Sequence, residues 1–421
     1  MILKILPRSI SYLLLNEITE RYSLYGMRSI LIAFMINYLY FSESHSLFIF
    51  HTFIVLCYLF AILGGIIGDK YWDKKYQLLI FLSILYVGGH IILSCFVTKY
   101  GMYTGLIIIA FCTGLIKPII VSFVGDQFVL PEEQTQYGIA MNLCFFAVNI
   151  GSTLAMLIAP YLLQHYGAGI AFFVPSCAMF LSLLFVISGK KYYRVQHEKI
   201  SLQYSYDKSY NLSKIGVIAG IFLALSVFFM LFDQMFSVVV LQAGLMNCDI
   251  FGYKIIPSQI PIINPFLIII ISPLFNYIYK ILDSRGYNIK ISSKIKIGMV
   301  IASLSFIILM VIEHFINLGY ILSIKWQILS FIFITFAEIL IMPSSAEFAY
   351  SVAPHWAKCR SISFFFLSIC IGNIFSILVF SVSQVKYFIF TVSSIFVIAS
   401  FIALSIFFSI YEKTKNLKVD V

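Results

Sequence analysis

The chain has 421 residues, of which 61% are hydrophobic and only 11% charged, and its mean hydropathy is +0.98. This composition excludes an ordinary soluble domain and indicates an integral membrane protein. The net charge of +10 does not indicate nucleic-acid binding, because most of the 28 Lys and Arg residues lie in alternate loops and at the two ends, as the positive-inside rule requires.

Apolar runs recur roughly every 30 to 35 residues, which predicts helices of about 20 residues joined by short loops rather than a β-barrel. The fold class we expect is all-α, with twelve transmembrane helices. The predicted spans are 10–40, 46–68, 77–97, 102–125, 137–160, 169–189, 214–241, 258–282, 294–315, 326–349, 361–384 and 387–411. The even number of spans and the basic loops place both termini in the cytoplasm of a multi-pass cell-membrane protein. No cleavable signal sequence is expected.

The longest polar and basic connection, residues 190–213, divides the chain into two halves of six spans each. The predicted organisation is a helix bundle over 1–189, a cytoplasmic linker over 190–213, a second bundle over 214–411 and a cytoplasmic tail over 412–421. Weak internal repetition supports two related halves, since Asn149-Ile150-Gly151 in the first half is echoed by Ile371-Gly372-Asn373 in the second.

The first span contains the segment NEITERYSLYGMR, which carries the charged residues Glu17, Glu20, Arg21 and Arg28. At about 100° per residue these side chains and Tyr25 share one helix face. An ionisable group at the bilayer centre costs roughly 2.5 to 3.5 kcal/mol on insertion scales, so such a face requires a polar interior or partner charges. The pattern therefore predicts a functional site inside a helical bundle.

Lys117 in the fourth span precedes Pro118, which frees a backbone carbonyl within the membrane. Counted from the cytoplasmic ends of their helices, Lys117, Glu17 and Glu20 lie at matching depth, and we expect an ion pair between the lysine and these acids. The alternative is a lone lysine that extends toward the membrane surface.

Other polar residues in the spans have less specific interpretations. His51 and Tyr58 share one face of the second span, where a histidine alone is more often a polar residue near the outer interface. Asn149 in the fifth span is more often a contact between helices than a ligand contact.

The second half also carries buried acids. Asp233 in the seventh span lies at a depth similar to that of Arg28, which suggests a gate between the halves or, alternatively, a permanent structural ion pair. Pro261, Asn264 and Pro265 interrupt the start of the eighth span, as in segments that line cavities. Glu338 lies in the middle of the tenth span.

The eight cysteines show no CxxC spacing, and neither a metal-ligand pattern nor a nucleophile–base pair is found in the spans. We therefore expect no enzyme activity, no metal and no cofactor. Functional activity as a monomer is expected as well.

Taken together, these motifs resemble the proton-dependent oligopeptide transporter (POT/PTR) family of the major facilitator superfamily. The resemblance begins with ExxER followed by Tyr-Gly-Met-Arg at 25–28 and covers nearly all the spans. Further matching segments are HTFIVLCYL, GLIKP, GDQF, NIGS, LFDQ, IIPSQ and AEFAYSVAP.

The resemblance implies a symporter that imports di- and tripeptides with protons by alternating access. It implies proton coupling by Glu17, Glu20 and Arg21, with His51 as a second proton site. Lys117 and Glu338 would hold the carboxylate and amino ends of the peptide, respectively. The implied pocket lining is Tyr25, Tyr58, Asn149 and Asn264, and the implied outer gate is Arg28 with Asp233.

The chain departs from the family pattern at Phe145, Phe229 and Phe331, where the family has two tyrosines and, at 229, a tryptophan. Because two of these changes remove hydroxyl groups, transport of another small solute, such as an amino acid or organic anion, stays an alternative. The second alternative is a sensor that binds peptides without transporting them.

Overall fold

The computed structural model describes residues 6–128, 134–194, 212–250, 252–286, 290–352, 358–382 and 385–416. These residues are almost entirely helical and cluster into two compact units. The first unit comprises Met1–His197 and Cys248–Ile271, and the second comprises Glu198–Asn247 and Ser272–Val421. Most of the predicted linker, 195–211, and the last residues of the predicted tail, 417–421, lie outside the described residues.

The first unit is built from long helices whose apolar faces pack on one another. They are α1 (Arg8–Asn37), α2 (Glu43–Lys70), α3 (Lys75–Cys95), α4 (Lys99–Gly125) and α5 (Gln134–Ser188). Capping side chains define two of the helix starts: Ser42 accepts a hydrogen bond from the backbone of His45, and Thr98 accepts one from Gly101.

The helix α5 contains two predicted spans, the fifth and the sixth. They meet at Gly167, whose φ of 83° and ψ of 174° are not helical and are accessible almost only to glycine. The turn that the sequence predicts over 161–168 is therefore confined to a single residue.

The second unit contains the remaining long helices and a short one, α7, that follows a break. They are α6 (Leu212–Gln234), α7 (Val238–Ala243), α8 (Ile263–Ser284), α9 (Ile291–Asn317), α10 (Lys325–Val352), α11 (Lys358–Val382) and α12 (Lys386–Asn416). Residues 235–237 form turns between α6 and α7, so the seventh span, predicted as one helix over 214–241, is broken near its C-terminal end. The unit boundary falls inside α8, between Ile271 and Ser272, so the start of α8 belongs to the first unit.

A small hairpin and a 3-10 segment precede α8 and belong to the first unit. Strand β1 (Asp249–Ile250) pairs antiparallel with β2 (Tyr253–Lys254), and the 3-10 segment covers Pro257–Ile262. The predicted interruption is thus confirmed at Pro261. Asn264 and Pro265, which were predicted to interrupt the helix as well, lie in the first turn of the regular helix that begins at Ile263, where a proline is tolerated.

Within the described residues, ten helical segments are long and apolar enough to cross a membrane. One of them, Leu143–Tyr192, contains two spans that meet at Gly167. The charged helix α1 is not among the ten, although it is 30 residues long. Counting both spans of that segment together with α1 gives twelve spans, and the chain is a multi-pass membrane protein.

Glycines allow close helix crossings at equivalent places in the two units. In the first unit, a Cβ at Gly151 on α5 would meet the carbonyl oxygen of Ile18 on α1. In the second unit, a Cβ at Gly372 on α11 would meet the carbonyl oxygen of Ser226 on α6. The repeated Gly motifs therefore serve the same purpose in both units: each brings the fifth helix of its half against the first.

A third close crossing joins α2 and α4. A Cβ at Gly64 would lie 2.7 Å from Leu115 Cα, and one at Gly114 would lie 2.6 Å from the carbonyl oxygen of Cys57. This close helix contact brings Tyr58 of α2 next to Lys117.

The glycine crossing in the second unit can be tested with Gly372→Ala. We expect a loss of about 1 to 3 kcal/mol in stability, because the added methyl group overpacks the backbone of α6. Gly216 on α6 is the matched control, since a Cβ there meets nothing within 4 Å, and alanine in its place should be neutral or slightly stabilising. Thermal unfolding of the purified protein in detergent measures both variants. Equal unfolding temperatures would contradict the proposed role of Gly372.

Candidate functional site

The charged face of α1 forms an ion cluster inside the first unit. Arg21 Nε lies 3.2 Å from Glu17 Oε2 and 3.0 Å from Glu20 Oε2. Only 7% of Glu17 and 3% of Glu20 is exposed. The spacing of four residues places Arg21 beside Glu17, and the preceding residue Glu20 lies on the same helix face, as predicted. Two carboxylates therefore share one guanidinium group in a buried site.

Two neighbouring helices close around this cluster. Thr113 Oγ1 on α4 lies 3.4 Å from Glu20 Oε1, and it is the hydroxyl group that donates. A Cβ at Gly151 on α5 would lie 3.2 Å from Arg21 Cβ, so α5 covers the arginine closely. Thr113 is not among the residues predicted from the sequence. A threonine in an apolar span is a weak signal, since its hydroxyl can also bond its own helix.

Lys117 is buried on α4, and its Nζ lies 4.0 Å from the centre of the Tyr58 ring on α2. This is a cation–π contact, worth about 0.5 to 2 kcal/mol depending on desolvation. Among the described residues, Lys117 forms no ion pair with Glu17 or Glu20 within 4.0 Å. The predicted ion pair is therefore wrong in this structure, because Arg21, one turn along the same helix, occupies the position next to both acids.

Lys117 nevertheless lies within electrostatic range of Glu17 and Glu20. With Arg21 between the carboxylates, the formal charges of two acids and two bases cancel when all four are ionised. A proton added to either acid would leave the group with a net positive charge. Uptake or release of one proton thus changes the net charge of these four residues within the membrane.

Arg28 is buried two turns after the cluster on the same helix. Its guanidinium carbon lies 5.9 Å from the ring centre of Tyr25 and 5.3 Å from that of Phe50 on α2. The aromatic faces provide part of its environment.

His51 follows Phe50 on α2 and has no exposed surface. Its ring contacts the Phe50 ring edge-on at 5.2 Å. The side chain is enclosed by protein, which disfavours the interpretation of an exposed polar residue at the interface.

Two predicted pocket amides lie in the first unit and are both buried, Asn149 at 5% and Asn264 at 3% exposure. Asn149 Nδ2 donates to the carbonyl oxygen of Phe145 in its own helix at 2.8 Å. This bond stays within α5, so Asn149 is not a hydrogen-bonded link between helices in the described structure. Asn264 lies in the first turn of α8, directly after the 3-10 segment.

The acids of the second unit have separate environments. Asp233 Oδ2 accepts a hydrogen bond of 2.5 Å from Asn373 Nδ2 on α11. Glu338 is buried in the middle of α10. Asn373 was predicted from the sequence only as part of a repeated motif. Its position next to Gly372, which packs closely on α6, is the signal that could have placed it near α6. The pairing of Arg28 with Asp233, which would join the two units, stays a prediction.

The GDQF motif forms a polar junction at the end of α4. Lys75 Nζ contacts both Asp126 Oδ2 and Ser122 Oγ at 2.6 Å. Burial raises the pKa of Asp126, while the adjacent Lys75 ammonium group opposes this shift. Gln127 exchanges hydrogen bonds with the backbone N–H and carbonyl groups of Arg194. The motif therefore fastens the end of the sixth span to α4.

Two further buried polar residues were missed by the sequence analysis. His90 on α3 has no exposed surface, and its Nε2 lies 2.7 Å from Ser23 Oγ on α1. Glu313 on α9 is 4% exposed. An ionisable residue in an apolar span is itself the signal that could have found both.

Comparison with known proteins identifies the relatives of this chain. The model of the POT family matches residues 76–202 and 195–398. The chain is 32% identical to Peptide transporter family 1 of Drosophila melanogaster over 348 residues, which cover 71% of this chain and 47% of that protein. It is 30% identical to human Solute carrier family 15 member 2 over 364 residues, which cover 74% and 49% of the two chains. The chain thus spans about half the length of the curated relatives it matches.

Solved structures match over nearly the whole chain. The POT family transporter PepTSo superposes with a TM-score of 0.84 at 27% identity, covering 97% of this chain and 99% of that one. A second proton dependent oligopeptide (POT) family transporter has a TM-score of 0.80 at 28% identity, covering 94% and 100%. The shared fold is that of the major facilitator superfamily, with twelve helices in two halves. The chain belongs to the POT family of transporters.

Proposed function

We propose that this protein is a proton-coupled symporter that imports di- and tripeptides across the cell membrane by alternating access. The observation that carries the proposal is the buried cluster in which Glu17 and Glu20 share Arg21, with Lys117 in electrostatic range. Both termini would be cytoplasmic, and the protein would act as a monomer. It would catalyse no chemical reaction and need no metal or cofactor other than protons.

The charge balance of the cluster supports proton coupling. When Glu17 or Glu20 takes up a proton, its attraction to Arg21 falls, because a charge-assisted bond is roughly twice as strong as a neutral one. The freed positive charge on Arg21 and Lys117 then favours an anionic group nearby. Proton uptake and carboxylate binding would therefore support each other.

A peptide substrate is a zwitterion and fits a site with a base in one half and an acid in the other. In our proposal Lys117 binds the carboxylate end of the peptide and Glu338 binds its amino end. Tyr25, Tyr58, Asn149 and Asn264 would line the pocket. Arg28 and Asp233 would form the outer gate, and His51 would be a second proton site.

The relatives support the substrate class. The matched Drosophila protein is named a peptide transporter, and PepTSo is described as a POT family transporter. The energetics are adequate, since one proton moving through roughly 150 mV supplies about 3.4 kcal/mol, enough for roughly 300-fold accumulation of a neutral peptide.

Uptake of labelled dialanine into proteoliposomes tests the function. We expect accumulation above the external concentration with an inward proton gradient, because the gradient supplies the free energy. Unlabelled dialanine should compete and single amino acids should not. The same vesicles without a gradient are the control and should show only counterflow.

Three results would count against peptide symport. Competition by single amino acids or organic anions would favour another solute, in line with Phe145 and Phe331 in place of tyrosines. Peptide binding without counterflow would indicate a sensor. Counterflow that does not respond to the gradient would make the acidic cluster structural.

The coupling step is tested with Glu20→Gln. The amide cannot exchange a proton at neutral pH, so gradient-driven accumulation should fall at least tenfold while counterflow of dialanine is retained. Glu412→Gln is the matched control, because Glu412 is half-exposed in a surface ion pair with Lys290 and should transport like the wild type. Full uphill uptake by Glu20→Gln would show that the coupling step lies elsewhere.

A further inference from the structure

A buried acid in the second unit lies outside the site described above. Glu313, near the end of α9, is 4% exposed. Its Oε2 accepts a hydrogen bond from Gln242 Nε2 on α7 at 2.8 Å. Within the described part of the chain, no Lys, Arg or His forms an ion pair with this carboxylate within 4.0 Å. The acid is thus bonded to an amide group, whereas Glu17 and Glu20 are bonded to a guanidinium group.

Two glutamines link this acid to three helices. Gln242 also donates from Nε2 to the carbonyl oxygen of Leu309 at 3.1 Å. Gln327 on α10 donates from Nε2 to Gln242 Oε1 at 2.9 Å and to the carbonyl oxygen of Val239 at 3.2 Å. Both glutamines have no exposed surface. The contacts of Gln242 therefore connect α7 with α9 and α10.

The charge of this network depends on one proton. A neutral amide offsets only part of the cost of burying a carboxylate, and an unpaired buried charge is strongly destabilising. Such a group lowers its free energy by binding a proton. The two forms differ in their bond to Gln242, because an ionised carboxylate accepts a stronger hydrogen bond than a neutral carboxyl group does.

We propose that Glu313 is a proton-binding site of the second unit, separate from Glu17 and Glu20, and that proton binding there loosens the hold of α9 on α7. The contribution of this site to transport rests on the proposed function. The helix α7 begins five residues after Asp233, beyond the turns at 235–237. Loosening it would free the outer piece of the broken seventh span.

The elements that contact α9 are α6, α10 and α12, together with α7, whose Gln242 bonds Glu313 and which carries no titratable residue. The charged and titratable side chains near this end of the unit are His314 on α9, Tyr320 in the following loop, Lys325 at the start of α10 and Lys386 at the start of α12. On α6 the titratable group is Asp233, which is bonded to Asn373. None of these forms an ion pair with Glu313 within 4.0 Å in the described residues.

Infrared difference spectroscopy of the full-length protein in liposomes, titrated with pH, tests the proposal. The wild type should develop a carboxylic C=O band on acidification that is lost in Glu313→Gln, because the amide has no such band. Glu412→Gln should keep that band. If Glu313→Gln retains every titrating band of the wild type, Glu313 does not bind a proton and the proposal is overturned.

A second variant separates proton binding from folding. Gln242→Met keeps the carboxyl group but removes its donor, so the band should be larger at a given pH. Protection factors, which are corrected for the pH dependence of intrinsic exchange, report on the backbone at 238–243. They should be lower in Gln242→Met than in the wild type at any pH, and in the wild type they should fall on acidification. Protection factors there that do not change with pH in the wild type would overturn the loosening of α7.

These readouts need no peptide, so the two proposals fail separately. Loss of the band in Glu313→Gln, without dialanine uptake by the wild type, would keep the proton site and reject peptide symport. Dialanine symport with unchanged bands in Glu313→Gln would keep the proposed function and reject the site.

Discussion

The cost of placing ionised groups away from water constrains the whole first unit. Glu17 and Glu20 are tolerable because Arg21 lies one turn or less along the same helix and contacts both. A helix with such a face cannot lie against lipid and must be enclosed by other helices. Enclosure requires close crossings, which explains why Gly151 lies where α5 meets α1. The charged motif of α1 and the small residues of the neighbouring helices are therefore both needed to bury this helix face.

The second unit meets the same constraint with different chemistry. Asp233 is bonded to the amide of Asn373, and Glu313 to the amide of Gln242. An amide donates a hydrogen bond but supplies no opposite charge, so it stabilises an ionised acid less than a guanidinium group does. The units thus share the arrangement of helices and glycines but differ in how their buried acids are balanced. This difference makes proton binding in the second unit sensitive to single hydrogen bonds.

Much of this architecture follows from the sequence, and the exceptions have physical causes. Hydropathy predicts the spans, and helical spacing predicts that Glu17, Glu20 and Arg21 share one helix face, because both signals are local. The partner of Lys117 was predicted wrongly, since the choice between a carboxylate and the Tyr58 ring depends on how α2 and α4 cross. The break at 235–237 contains no proline or glycine that would signal it. Asn373 and Gln242 were missed as hydrogen-bond partners because each bonds an acid that is far away in the sequence, and no local sequence pattern indicates such a contact.

The single-residue connection at Gly167 has a mechanical consequence. Because the fifth and sixth spans meet at one residue with no loop between them, there is no slack to absorb a shift of one span along the other. The two spans are joined directly at this hairpin turn, so a force that tilts one of them is transmitted to the other. The first helix packs along this hairpin, so its charged face is carried by a paired support rather than by a single helix that can slide independently.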